Sequence, residues 1–107
     1  MKRGIVKVTF LYTGGEDVAF DFDYYLSNHI PLLTQKLGDL LIDMHIDKGI
    51  SGGAPGSIAP YAAMGHFYIK KLETFVESFT LNSEEIMADI KNFTDSKPVI
   101  QVSEELR

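Results

Sequence analysis

An antiparallel sheet of four strands with its helices packed on one face, an α+β fold, is predicted by three observations. Residues 5–12, 41–48, 61–69 and 98–103 are rich in β-branched and aromatic types, the first two alternating and the third apolar throughout. Two other stretches carry apolar residues at spacings of three and four, the mark of helices with one buried face. The resulting order is strand, helix, strand, strand, helical segment, strand, which is the ferredoxin-like arrangement.

The first strand presents Val6, Val8, Phe10 and Tyr12 on one face and Ile5, Lys7, Thr9 and Leu11 on the other. Gly14-Gly15 beside Glu16-Asp17 marks a loop. The central helix then opens at Asp21, a natural N-cap, with Asp23 adding negative charge at the positive end. Phe22, Leu26, Ile30, Leu33 and Leu37 form its apolar stripe, with Tyr25 and His29, one turn apart, at the edge. Pro31 has no amide hydrogen and crowds the carbonyl of Ser27, so the helix should kink, or end and restart, just after His29. Gly38 is expected to close it in a left-handed conformation.

In the second strand Ile42, Met44 and Ile46 are expected on one side and Asp43, His45 and Asp47 on the other. The glycine-rich residues 49–57 read as a hairpin loop over a pocket mouth, mobile relative to the strands. Residues 61–69 are apolar on both faces, as in a central strand covered on both sides. Leu72, Phe75, Val76 and Phe79 follow at helical spacing; a second short helix is expected to restart at Asn82, with Glu85 as its capping-box partner and Ile86, Met87 and Ile90 as its buried face. A polar tail, residues 104–107, ends the chain.

At 107 residues the chain predicts one domain, 1–107. Its net charge of −5 argues against a nucleic-acid partner, which wants a basic face. No cysteine is present, so disulfides, thiolate nucleophiles and iron–sulfur clusters are ruled out, and a cytoplasmic location fits. The basic Met1-Lys2-Arg3 start is not followed by a signal-peptide run, and no segment is apolar enough to span a bilayer, so no membrane role is expected. The apolar second face of the sheet, Ile5, Leu11, Val99 and one side of the 61–69 strand, predicts a homodimer.

Among chemical groups, His29 is the strongest acid–base candidate, because an imidazole beside an apolar stripe and a tyrosine can be held in one tautomer. The competing role is a histidine satisfied by backbone groups that Pro31 frees. A cavity shared with His66 is one arrangement the spacing allows. His66 lies on a strand face with Met64 and Tyr68, where a satisfied core histidine is the simpler reading. Tyr24, Tyr61, Met64 and Tyr68 are candidate binders of an aromatic or carbonyl substrate. Asp43, His45 and Asp47, spaced along one flat strand, converge poorly on a metal ion, so no metal is assigned. The glycine run lacks a phosphate-loop ending, and there is no dinucleotide fingerprint, haem-attachment motif or nucleophile elbow; no cofactor is assigned.

Four stretches together resemble the EthD family: Phe-Asp-Phe-Asp-Tyr-Tyr-Leu-Ser-Asn-His-Ile-Pro-Leu at residues 20–32, Gly-Ile-Ser-Gly-Gly-Ala-Pro-Gly at 49–56, Pro-Tyr-Ala-Ala-Met-Gly-His-Phe-Tyr at 60–68 and Glu-Ile-Met-Ala-Asp-Ile at 85–90. The resemblance covers nearly the whole chain. It implies a dimeric α+β barrel, in which two ferredoxin-like subunits pack sheet to sheet. Founding members belong to gene sets for degrading ethyl tert-butyl ether, and relatives include small enzymes acting on polyketides and cofactor-free oxygenases. It carries over Tyr24, Tyr25, His29 and His66 as site candidates. The expectation is a cofactor-independent enzyme of the EthD type acting on an apolar or aromatic oxygenated small molecule by oxidation, decarboxylation or isomerisation, with catalytic candidates His29, Tyr25 and His66. The alternative is a non-catalytic binding or accessory protein with the same pocket.

Overall fold

The computed structural model describes residues 5–107; the basic start Met1-Lys2-Arg3 lies outside them. The elements are β1 (Val6–Thr13), α1 (Phe22–Tyr24), a π-helical turn (Tyr25–His29), α2 (Ile30–Leu37), a short 3-10 turn (Gly38–Leu40), β2 (Leu41–Lys48), β3 (Tyr61–Ile69), α3 (Leu72–Ile90) and β4 (Pro98–Glu104). The strands form one antiparallel sheet in the order β2-β3-β1-β4, the ferredoxin-like topology.

Register sets the two faces. Val8 lies opposite Phe67, Phe10 opposite Gly65 and Tyr12 opposite Ala63, all turned toward the helices; Val8, Tyr12 and Ala63 are wholly buried. Ile30, Leu33 and Leu37 of α2 and Phe75, Ile86 and Ile90 of α3 close over them. Burial of such large side chains contributes about 1.5–3 kcal/mol each. The two helices are tied by Lys36–Glu85 at 3.0 Å and by the Ser78 hydroxyl donating to the Lys36 carbonyl.

Asp21 caps the central helix by accepting from the Tyr24 N–H at 3.1 Å. The helix is then interrupted where Pro31 demands it: the Ile30 N–H reaches back five residues to the Tyr25 carbonyl, and α2 restarts with Pro31 in its first turn, where no amide hydrogen is missed. The wide turn fits an extra residue into the helix, so that His29 and Ile30, neighbours in sequence, are both buried. The expected stripe is corrected accordingly: Leu26 is half exposed, and Tyr25 and His29 take the central positions. Gly38 ends α2 with a positive φ of 54° but a ψ of −130°, a region open to glycine that is not the left-handed helical one expected.

Three other expectations change. An irregularity between Leu41 and Asp43 turns Ile42 outward and puts Leu41, with Met44 and Ile46, against the core. No second helix starts at Asn82: α3 is continuous, because neither glycine nor proline interrupts it and the Asn82 side chain bonds the Ser78 carbonyl one turn back. Phe75, Phe79, Ile86 and Ile90 keep one helical phase through that point, which leaves Met87 on the exposed side. Glu104, expected in the tail, is still in β4.

Candidate functional site

Where the π turn meets the sheet and the end of α3, seven aromatic rings converge. Tyr12, Phe20, Tyr25 and Phe93 make edge-on or tilted contacts at centroid distances of 5.0–5.8 Å, with Phe22 and Tyr24 at the rim. His29 completes the group, 4.6 Å from Phe93 and stacked on Tyr25 at 5.9 Å. Gly65 lets Tyr25 reach the sheet: a Cβ there would come within 2.9 Å of the Tyr25 hydroxyl.

His29 is fully buried, and its Nδ1 lies 2.9 Å from Oδ2 of Asp89 on α3. The other Asp89 oxygen, Oδ1, accepts from the Tyr24 hydroxyl at 2.7 Å and from the Asn92 amide at 2.9 Å. Desolvation favours the neutral carboxyl, but the three donors outweigh it and hold Asp89 below its ordinary range. For His29 the balance runs the other way: burial lowers its pKa and outweighs the raising effect of Asp89. The contact is therefore a neutral imidazole donating Nδ1–H to a carboxylate, not an ion pair, at neutral pH. The lone pair is left on Nε2.

That Nε2 is buried and has no hydrogen-bond partner among the described residues, and neither has the hydroxyl of Tyr12. A buried polar atom left unpaired costs about 1–3 kcal/mol, which makes these two atoms the unusual feature of the core. Burial also raises the pKa of Tyr12 and of Tyr25 well above the ordinary tyrosine value, so both remain hydroxyls. An oriented imidazole with a free lone pair can take a proton, and a phenol can donate a hydrogen bond to the anion so formed.

The structure brings together Tyr24, Tyr25 and His29 of the sequence candidates, and sets the rest apart. His66, Met64 and Tyr68 point from β3 to the opposite face of the sheet, so no cavity within one protomer joins His66 to His29. Both His66 nitrogens are engaged there, Nδ1 with the Thr9 hydroxyl at 3.2 Å and Nε2 with Asp47 at 3.1 Å. Tyr61 stands at the first position of β3, opposite Thr13. Asp43 meets His45 at 3.3 Å while Asp47 turns to His66, so this strand's polar groups diverge. Sequence reasoning missed Asp89 and Tyr12. Asp89 sits between Ile86 and Ile90 on a buried helix face, where an acid needs a partner, and that was the available signal.

The EthD domain model matches residues 14–97. Among solved structures, an EthD-like protein from Ralstonia eutropha JMP134 superposes with a TM-score of 0.89 at 34% identity, over 95% of this chain and 92% of that one. An ethyl tert-butyl ether (EthD) family protein from Bacillus halodurans C-125 superposes with a TM-score of 0.66 at 22% identity, over 95% of this chain and 99% of that one. No curated protein matches the sequence significantly.

Proposed function

Because this chain belongs to the EthD family, we propose that it is a small cofactor-independent enzyme whose helix–sheet site removes a proton from an apolar or aromatic oxygenated molecule. The observation that carries the reading is the buried, unpartnered Nε2 of an imidazole oriented by Asp89. A group held this way is a general base ready for an acidic C–H or O–H, and the Tyr12 hydroxyl is suited to the resulting enolate or phenolate. Returning the proton at another carbon isomerises the substrate; reaction of the anion with dioxygen oxidises it; protonation after loss of carbon dioxide completes a decarboxylation. A place in the breakdown of ethers or other xenobiotics belongs to this reading, as membership of the EthD family suggests.

In this proposal His29 is the base, Asp89 positions it, and Tyr24 and Tyr25 shape the site. His66, Met64 and Tyr68 are assigned instead to the sheet face that a second copy covers.

The test begins with capture of a bound compound from a metabolite extract and its identification by mass spectrometry. Turnover is then measured without added cofactor, in air and under nitrogen. His29→Asn should lower kcat by about 10²–10⁴ while the protein stays folded. An unchanged kcat removes His29 as the base. Binding without product in either atmosphere establishes the accessory protein instead.

A further inference from the structure

A ligand of the buried site must reach it from one side, and two clefts border the aromatic group. One, of about 330 Å³, is floored by Phe93. It is bolted shut by hydrogen bonds: the Asp21 N–H donates to the Phe93 carbonyl at 2.7 Å, the Thr94 hydroxyl to the Ala19 carbonyl at 2.6 Å, and the Ala19 N–H to the Asp95 carboxylate at 3.3 Å. Passage there costs several hydrogen bonds at once. The other cleft, of about 480 Å³, lies between the loop after β1 and the loop joining β2 to β3. Its size suits a small organic molecule. Two of its lining side chains touch the site: Phe20, 5.0 Å from Tyr25 and 5.5 Å from Tyr12, and Phe22, 6.4 Å from Tyr25. Rings can turn aside without breaking a main-chain bond.

The walls of this cleft are mixed, apolar at Val18, Ile58 and the two phenylalanines and polar along Gly14, Gly15, Gly49 and Ser57, and they carry one cation, Lys48 at the end of β2. Its Nζ lies 5.1 Å above the Phe22 ring. Among the described residues it joins no ion pair, although acidic residues outnumber basic ones by fifteen to ten. A lone ammonium held over an aromatic face, at the mouth of a cleft that two phenylalanines line, is complementary to a flat molecule with an anionic end. Phe22 precedes His29 by seven residues, roughly 10 Å along a helix, so a two-ring molecule anchored at Lys48 can present its far end to His29.

We propose that this cleft is the substrate entrance and that Lys48 is the specificity-determining residue, selecting aromatic carboxylates that pass Phe20 with the ring first. The proposal rests on the helix–sheet site being the ligand site, and its test reads binding rather than turnover. Affinities of 6-hydroxy-2-naphthoate and of neutral 2-naphthol are compared by calorimetry at pH 7.5 in the wild type and three variants. The wild type should prefer the carboxylate by about tenfold or more. Lys48→Met, which keeps the apolar stem over Phe22, should abolish the preference and leave 2-naphthol within twofold; Lys48→Glu should reverse it. His29→Gln should weaken both compounds and preserve their ratio. A preference that survives in Lys48→Met, or a wild type that discriminates between the two by less than threefold or binds neither, overturns the proposal. If Lys48→Met removes the preference while His29→Gln changes nothing, the entrance stands and the role of His29 falls.

Discussion

His29 and Asp89 tie the site to the acid stability of the protein. Burial lowers the folded-state pKa of His29 below its ordinary value of 6.5, so the unfolded chain takes up a proton first as pH falls. The stabilisation is complete above about pH 6.5 and drains away below it, down to the folded pKa. Asp89, also depressed, contributes above its ordinary value of 3.8 and is lost further into acid. The expected outcome is a urea midpoint that falls as pH drops below about 6.5 in the wild type, with that limb diminished in His29→Asn; equal pH profiles for the two would contradict the burial of a neutral imidazole. The histidine and its tyrosine neighbour were legible in the sequence, since a spacing of four places them on one helix face. Asp89 was not, because its partner lies sixty positions away and only the packing of α3 on the π turn brings the two together.

At the level of elements, the Pro31 interruption and the Gly65 gap act as a pair. Proline forces the wide turn that carries Tyr25 and His29 inward, and a residue without a side chain on β3 gives the Tyr25 hydroxyl its place on the sheet. Gly65→Ala should therefore destabilise the protein by about 1–3 kcal/mol, since neither the sheet nor the packed ring can give way cheaply; chemical denaturation measures it, and a neutral result would mean that Tyr25 is looser than its burial indicates. The first two strands were read closely from alternation, and β3 from its apolar run. Where alternation met an irregularity, at Leu41 to Asp43, it assigned Ile42 to the wrong face, because a bulge shifts the period without leaving a mark in composition. At Asn82 the capping pattern with Glu85 does not break α3, because the apolar phase runs on through it.

On the scale of the molecule, the sheet has one face under helices and one without, where Leu11, Met64 and Val99 sit among Thr9, His66, Tyr68 and Gln101. A second copy on this face should make the protein a homodimer in solution, burying roughly 2,000 Å² or more. Light scattering at micromolar concentration should return twice the chain mass, and a monomer mass would remove the barrel. The fold class was legible because element order and period are local properties. Which face of β3 met the helices was not: both of its faces are apolar in sequence, and only the register with β1 decides that Phe67 turns inward and His66 outward. Among the described residues no helix is long and apolar enough to cross a membrane.

That opposite placement of the two histidines has a practical side. The chain has three histidines in all, one sealed in the core, one mostly covered on the open sheet face and one exposed on an edge strand. Their environments differ enough for imidazole resonances to be told apart without an introduced label. The protein thus carries its own spectroscopic reporters: occupancy of the interior is read at His29, and association through the open face at His66, in one sample and from one spectrum.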